Sequence, residues 1–114
     1  MTDYKVIKTS VLPAELTEVR FYAETVDHVR AEHPEVPIEL PSITEATEQA
    51  ISNPTQVEKS YNNSYVFVDA GTTNAGGDPL RVPVKRVSET SGRVKTVFFA
   101  STEGSRNVIY RKNQ

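Results

Sequence analysis

TQVEKSYNNSYVFVDA, residues 55–70, is where the chain changes period. Upstream, PSITEATEQAISNP at 41–54 spaces its apolar residues for one face of a helix; from Thr55 onward the runs are short and rich in Val, Phe and Tyr. Four such runs follow one another: TQVEKSY, SYVFVDA, LRVPVKRV and RVKTVFFAS. Asn62-Asn63, the long GTTNAGGDP and SETSG separate them, and all three carry turn chemistry. Helices followed by hairpin-linked strands read as an α+β fold, with two or three N-terminal helices packed on a four- to five-stranded antiparallel sheet. Asn62-Asn63-Ser64 is formally a glycosylation acceptor, but with no leader segment in view it reads as the hairpin turn itself.

Moving toward the N-terminus, residues 41–54 are the clearest helix. Ser42 followed three residues later by Glu45 forms a capping box, Ile43, Ala46, Ala50 and Ile51 form the stripe, and Asn53-Pro54 ends it. Before it, Thr25 or Asp27 caps a short helix carrying Val26, Val29 and Arg30, which stops ahead of Pro34 because a residue before proline avoids the α region. Residues 18–24, EVRFYAE, alternate like a strand, yet PAELTE before them reads as a helix start, so both readings stand. YKVIKTSVLP is β-prone with no marked partner: an edge strand or a loose arm. The chain thus divides into an arm at 1–12, a helical part at 13–53 and a sheet part at 54–110, with a last strand expected at Asn107–Tyr110. All belong to one domain, since 114 residues build one core.

Composition narrows the chemistry. There is no cysteine, which excludes disulfides, thiol nucleophiles and thiolate metal sites. No run reaches the roughly 20 apolar residues of a membrane span, and the N-terminus lacks an apolar leader, so a cytoplasmic protein is expected. The net charge of −2 is unevenly spread: 4 basic and 10 acidic residues lie through Asn53, 9 basic and 5 acidic after it. Only the second half suits a polyanion.

The two histidines, His28 and His33 in DHVRAEHPEV, are five positions apart. On a helix that spacing sets the rings about 140° apart, so they do not share a metal, and no metal or cofactor is expected. As a residue type, imidazole suits proton transfer near neutrality, and His28 in mid-helix is the candidate; His33 at the helix end also suits a cap. The Gly-rich AGTTNAGGDP lacks the ending of a phosphate-binding loop and reads as a hairpin loop. RVKTVFFAS is apolar on both faces, as a central strand would be, and Thr96 within it needs a hydrogen-bond partner if buried.

In order, DHVRAEHPEV, the helix ending AISNP, VEKSY, LRVPVKRV and RVKTVFFAS resemble the phage- and toxin-associated nucleases of the barnase, EndoU, colicin and RelE-like superfamily. The resemblance spans roughly residues 19–101. It implies an endoribonuclease that needs no metal and cleaves RNA by attack of the ribose 2′-hydroxyl on the adjacent phosphate, restrained by a protein inhibitor. Carried over, His28 is the acid or base, Lys85 the charge stabiliser and Thr96 a hydrogen-bonding group, with Arg30, His33, Arg86 and Tyr110 as substrate contacts. Two other readings compete. One is a non-catalytic protein-binding or assembly module on the same scaffold; the other is a nucleic-acid binder using Arg81, Lys85, Arg86 and Arg93.

Overall fold

The computed structural model describes residues 3–101 and 107–112, in which eight strands form one sheet and three short helices cover one of its faces. The hairpin that opens the sheet lies where the sequence changes period. β3 (Gln56–Ser60) pairs antiparallel with β4 (Ser64–Thr73), and the turn places Asn62 and Asn63 at φ 56° and 58°. Asparagine tolerates that left-handed region better than most residues, which is why two of them stand there. β5 (Pro79–Arg86) follows antiparallel to β4. The intervening loop is a turn tied by its own residues: the Asp78 amide donates to Asn74 Oδ1 at 2.9 Å, and Gly77 takes φ 85°.

The expected α+β architecture is overturned upstream of this meander. Of the two readings of residues 4–12 the edge strand holds and the loose arm does not: they are β1 (Tyr4–Leu12), at one end of the sheet, while PAELTE is a turn and strand, not a helix start. β2 (Leu16–Tyr22) pairs antiparallel with β1, and the turn closes through the Glu15 amide on the Leu12 carbonyl at 3.0 Å. Period decides the conflict: Val19 and Phe21 are buried while Glu18, Arg20 and Tyr22 alternate with them, and a helix would scatter that face.

RVKTVFFAS is likewise not one central strand. It splits into β6 (Ser91–Val94) and β7 (Phe98–Phe99), both on β5. Between the pairs Val84↔Val94 and Arg81↔Phe98, three steps on β5 face four on the β6–β7 side, so one extra residue is accommodated at 95–97. Pro83 sits opposite that break and has no N–H to offer; its carbonyl accepts from the Lys95 amide at 2.8 Å. β8 (Val108–Arg111) pairs with β3, one residue on from the expected span. The sheet order is β1-β2-β6-β5-β4-β3-β8, a curled half-barrel, and it is mixed because β2 and β6 run parallel.

The helices are α1 (Ala23–Glu32), α2 (Glu35–Glu39) and α3 (Ile43–Ser52). α1 starts directly on β2, with Tyr22 as N-cap in place of Thr25 or Asp27, and ends at His33 before Pro34. α3 is capped as its sequence indicates, the Glu45 amide donating to Ser42 Oγ at 3.2 Å. Its Ile43, Ala50 and Ile51 are buried with Val29 and Val36 against the inner face of the sheet, where Ile7, Val19, Phe21, Tyr65, Phe67, Val82, Val84 and Val94 point. Each of the buried Val, Ile and Phe side chains contributes about 1.5–3 kcal/mol.

Gly92 fixes the joint between the two parts of the sheet. A Cβ there would lie 2.8 Å from Val84 Cγ1 and 3.0 Å from both Leu16 Cδ1 and the Lys85 carbonyl. Gly92→Ala is expected to cost about 1–3 kcal/mol by overpacking. Urea unfolding would read this as a lower midpoint; an unchanged midpoint would mean that the β2–β6 joint has slack.

Candidate functional site

Cross-strand register assigns the outer face of the sheet, opposite the helices. Partners in register share a face, so Glu58, Val66 and Pro83 form one row across β3, β4 and β5, and Gln56, Val68 and Arg81 form the next, which Phe98 of β7 continues. Arg81 Nη2 reaches diagonally across β4 to Glu58 Oε1 at 2.6 Å. The two side chains are only 12% and 9% exposed. Glu58 Oε2 also accepts from Gln56 Nε2 at 2.8 Å, while Arg81 Nη1 is buried with no hydrogen-bond partner among the described residues.

His33 joins this group from the far end of α1. Its ring stacks on Phe98, with centroids 5.6 Å apart and planes 28° from parallel. As the C-cap it leaves helical geometry, at φ −131° and ψ 67°, and Glu35 Oε2 lies 3.6 Å from its Nδ1. The carboxylate near Nδ1 leaves Nε2 as the ring's other functional nitrogen. Thr96 lies two residues before Phe98, in the irregular segment that accommodates the extra residue. Its hydroxyl is buried and has no partner among the described residues. His33 and Arg81 thus have Phe98 in common, Arg81 holds Glu58, and Thr96 lies two residues along the chain from Phe98.

The other residues named from sequence lie elsewhere. His28 is exposed on α1, with no hydrogen bond or ion pair among the described residues. Arg30 lines an open groove with Asp3, Tyr4, Lys5, Asp27 and Thr44, between the start of β1 and the helices. Lys85 is exposed on the outer face, opposite Arg93 on one side and Ser64 on the other. Four residues along β5, about 13 Å at the strand rise, separate it from Arg81. Arg86 is occupied structurally: Nε donates to the carbonyls of Ser88 and Glu89 at 3.1 and 3.0 Å, and Nη2 to Glu89 at 2.6 Å, tying the turn into β6. Tyr110, opposite Val57, is half-buried against the core.

Glu58 is the residue that sequence reasoning passed over. The available signal was an acid inside a valine-bearing strand of the basic half, but its partner lies 23 positions away and only register brings them together. No group of three or more His, Asp or Glu among the described residues is placed to hold a metal ion, and no helix among them is long and apolar enough to cross a membrane. Comparison with family models, curated proteins and solved structures finds no match.

Proposed function

We propose that this chain is an endoribonuclease-like domain that cleaves RNA by intramolecular attack of the 2′-hydroxyl, centred on His33, Glu58, Arg81 and Thr96. The observation that carries the reading is the stacking of His33 on Phe98, because Phe98 is the register partner of Arg81 and Arg81 holds Glu58. In this arrangement Glu58, an acceptor when ionised, takes the proton from the 2′-oxygen. That oxygen bonds to the adjacent phosphorus, and the bond to the 5′-oxygen breaks as His33 delivers a proton to it. Arg81 Nη1, which has no hydrogen-bond partner among the described residues, donates to the phosphoryl oxygen as charge builds there. The Thr96 hydroxyl supplies a further hydrogen bond to the phosphate or ribose. The products are a 2′,3′-cyclic phosphate and a free 5′-hydroxyl.

The test is incubation of the purified protein with single-stranded RNA in excess chelator, followed by analysis of the new ends. Fragments ending in 2′,3′-cyclic phosphate are expected. Intact RNA beside protein shown to be folded by circular dichroism, or fragments carrying 5′-phosphates, would overturn the reading.

A further inference from the structure

The outer face carries a second feature that this chemistry does not use. Arg20 of β2 is in register with Arg93 of β6, and Arg93 with Lys85 of β5, so three cations stand side by side across three strands. None of them forms an ion pair among the described residues; the one nearby carboxylate on the same strand, Glu18, is bonded by Lys8 at 3.1 Å. Like charges directly opposite on a sheet destabilise it. A row of three is therefore a feature to be explained by what it meets.

Two tyrosines flank the row. Arg20 Cζ lies 4.8 Å from the centre of the Tyr4 ring and Arg93 Cζ lies 5.1 Å from that of Tyr22, while the two rings are 5.2 Å apart at 54°. Tyr4 and Tyr22 are themselves register partners on β1 and β2. Ring faces hold the guanidinium groups by cation–π attraction, which does not itself use their N–H donors. Arg20 Nε is buried and has no hydrogen-bond partner among the described residues. A hydrogen bond to the Tyr22 hydroxyl, and then the neighbouring Tyr4, raise the Arg20 pKa above its ordinary value.

We infer that the Arg20–Arg93–Lys85 row with Tyr4 is a binding subsite for single-stranded RNA, the cations meeting successive phosphates and the exposed tyrosine ring accepting a base. Charge complementarity and the pairing of cations with aromatic faces favour a nucleic acid strand, in which every unit brings both a phosphate and a ring, over an acidic peptide. The strand distance from Lys85 to Arg81, about 13 Å, is one that a few nucleotides cover, so one RNA strand reaches both this row and the cleavage cluster. The inference rests on the proposed function in taking RNA as the polyanion, but it concerns binding and not turnover.

The experiment measures the affinity of a 2′-O-methylated, hence uncleavable, 12-nucleotide RNA across a range of salt, using fluorescence anisotropy. For the wild type log affinity falls with log salt; the Arg93→Gln/Lys85→Gln variant is expected to flatten that slope by about 1.4, at about 0.7 per lost phosphate contact. Tyr4→Leu is expected to weaken binding about tenfold with the slope kept, the mark of a lost stack. Lys5→Gln is the control, since Lys5 is bonded to Glu48 of α3, away from this face. An unchanged slope in the double variant, or an acidic peptide that competes as well as the RNA, would overturn the subsite. Binding with these properties by a protein that never cleaves RNA would leave the subsite standing and remove the catalytic reading; cleavage with an unchanged slope would do the reverse.

Discussion

His33→Ala is expected to lower RNA cleavage by about a hundredfold to ten-thousandfold, the usual worth of a positioned proton-transfer group. The folded state loses little in this variant, because what disappears is one stacked ring contact at the sheet margin, worth about 0.5–1.5 kcal/mol, and a solvent-exposed contact with Glu35. His28→Ala separates the two histidines. The family resemblance carries proton transfer to His28, whereas the stacking of His33 on Phe98 carries it to the end of the same helix. Single-turnover cleavage of a short RNA by both variants, each checked for its unfolding midpoint, decides the matter. A large loss in His33→Ala with near-wild-type activity in His28→Ala supports the cluster on the outer face. The reverse pattern would move the chemistry to the exposed face of α1 and leave Glu58 and Arg81 as a structural pair. Thr96→Val adds a graded control, since it removes a hydroxyl without changing shape and is expected to cost far less than His33→Ala.

How much of this was legible depended on the distance over which each signal acts. The Asn62-Asn63 turn, the Ser42 cap and the end of α1 before Pro34 are encoded within a few residues, and the chain follows those signals. The N-terminal hairpin was hidden by a local conflict: PAELTE has helical composition, and only the burial of Val19 and Phe21 against the rest of the sheet selects the strand. The parallel β2–β6 joint has no local signature at all, because its partners are some seventy residues apart and a parallel pairing leaves the same alternation as an antiparallel one. RVKTVFFAS looked like a continuous strand since nothing within it reveals that its register partner includes Pro83. The candidate site falls under the same rule. His33 and Thr96 were visible as residue types, but Glu58 and Arg81 acquire meaning only through the register of β3, β4 and β5. Chemistry assembled across strands is written in pairing, and pairing is the least local property of a sequence.

Glu58→Ala and Arg81→Ala are each expected to destabilise the protein by about 3–5 kcal/mol, because each leaves the other charge with its main partner removed at a largely buried position. That is a large share of the roughly 5–15 kcal/mol by which a domain of this size is stable. Converting both to apolar residues at once, as in Glu58→Met/Arg81→Leu, is expected to recover most of the loss, since the cost lies in the orphaned charge and not in the absence of the pair. Urea unfolding of the two single variants and the double variant forms the cycle. Near-additive losses would show that the two side chains do not act as a pair and that the 2.6 Å contact contributes little. The same three proteins also bear on function. A double variant that regains wild-type stability yet cleaves no RNA would separate the two roles of the pair: its charges would then be dispensable for the fold and required for the reaction. On the proposed reading a phosphate has the charge and the acceptors to meet the Arg81 Nη1 and Thr96 hydroxyl hydrogens, neither of which has a hydrogen-bond partner among the described residues, so loss of cleavage without loss of stability is the outcome that reading requires.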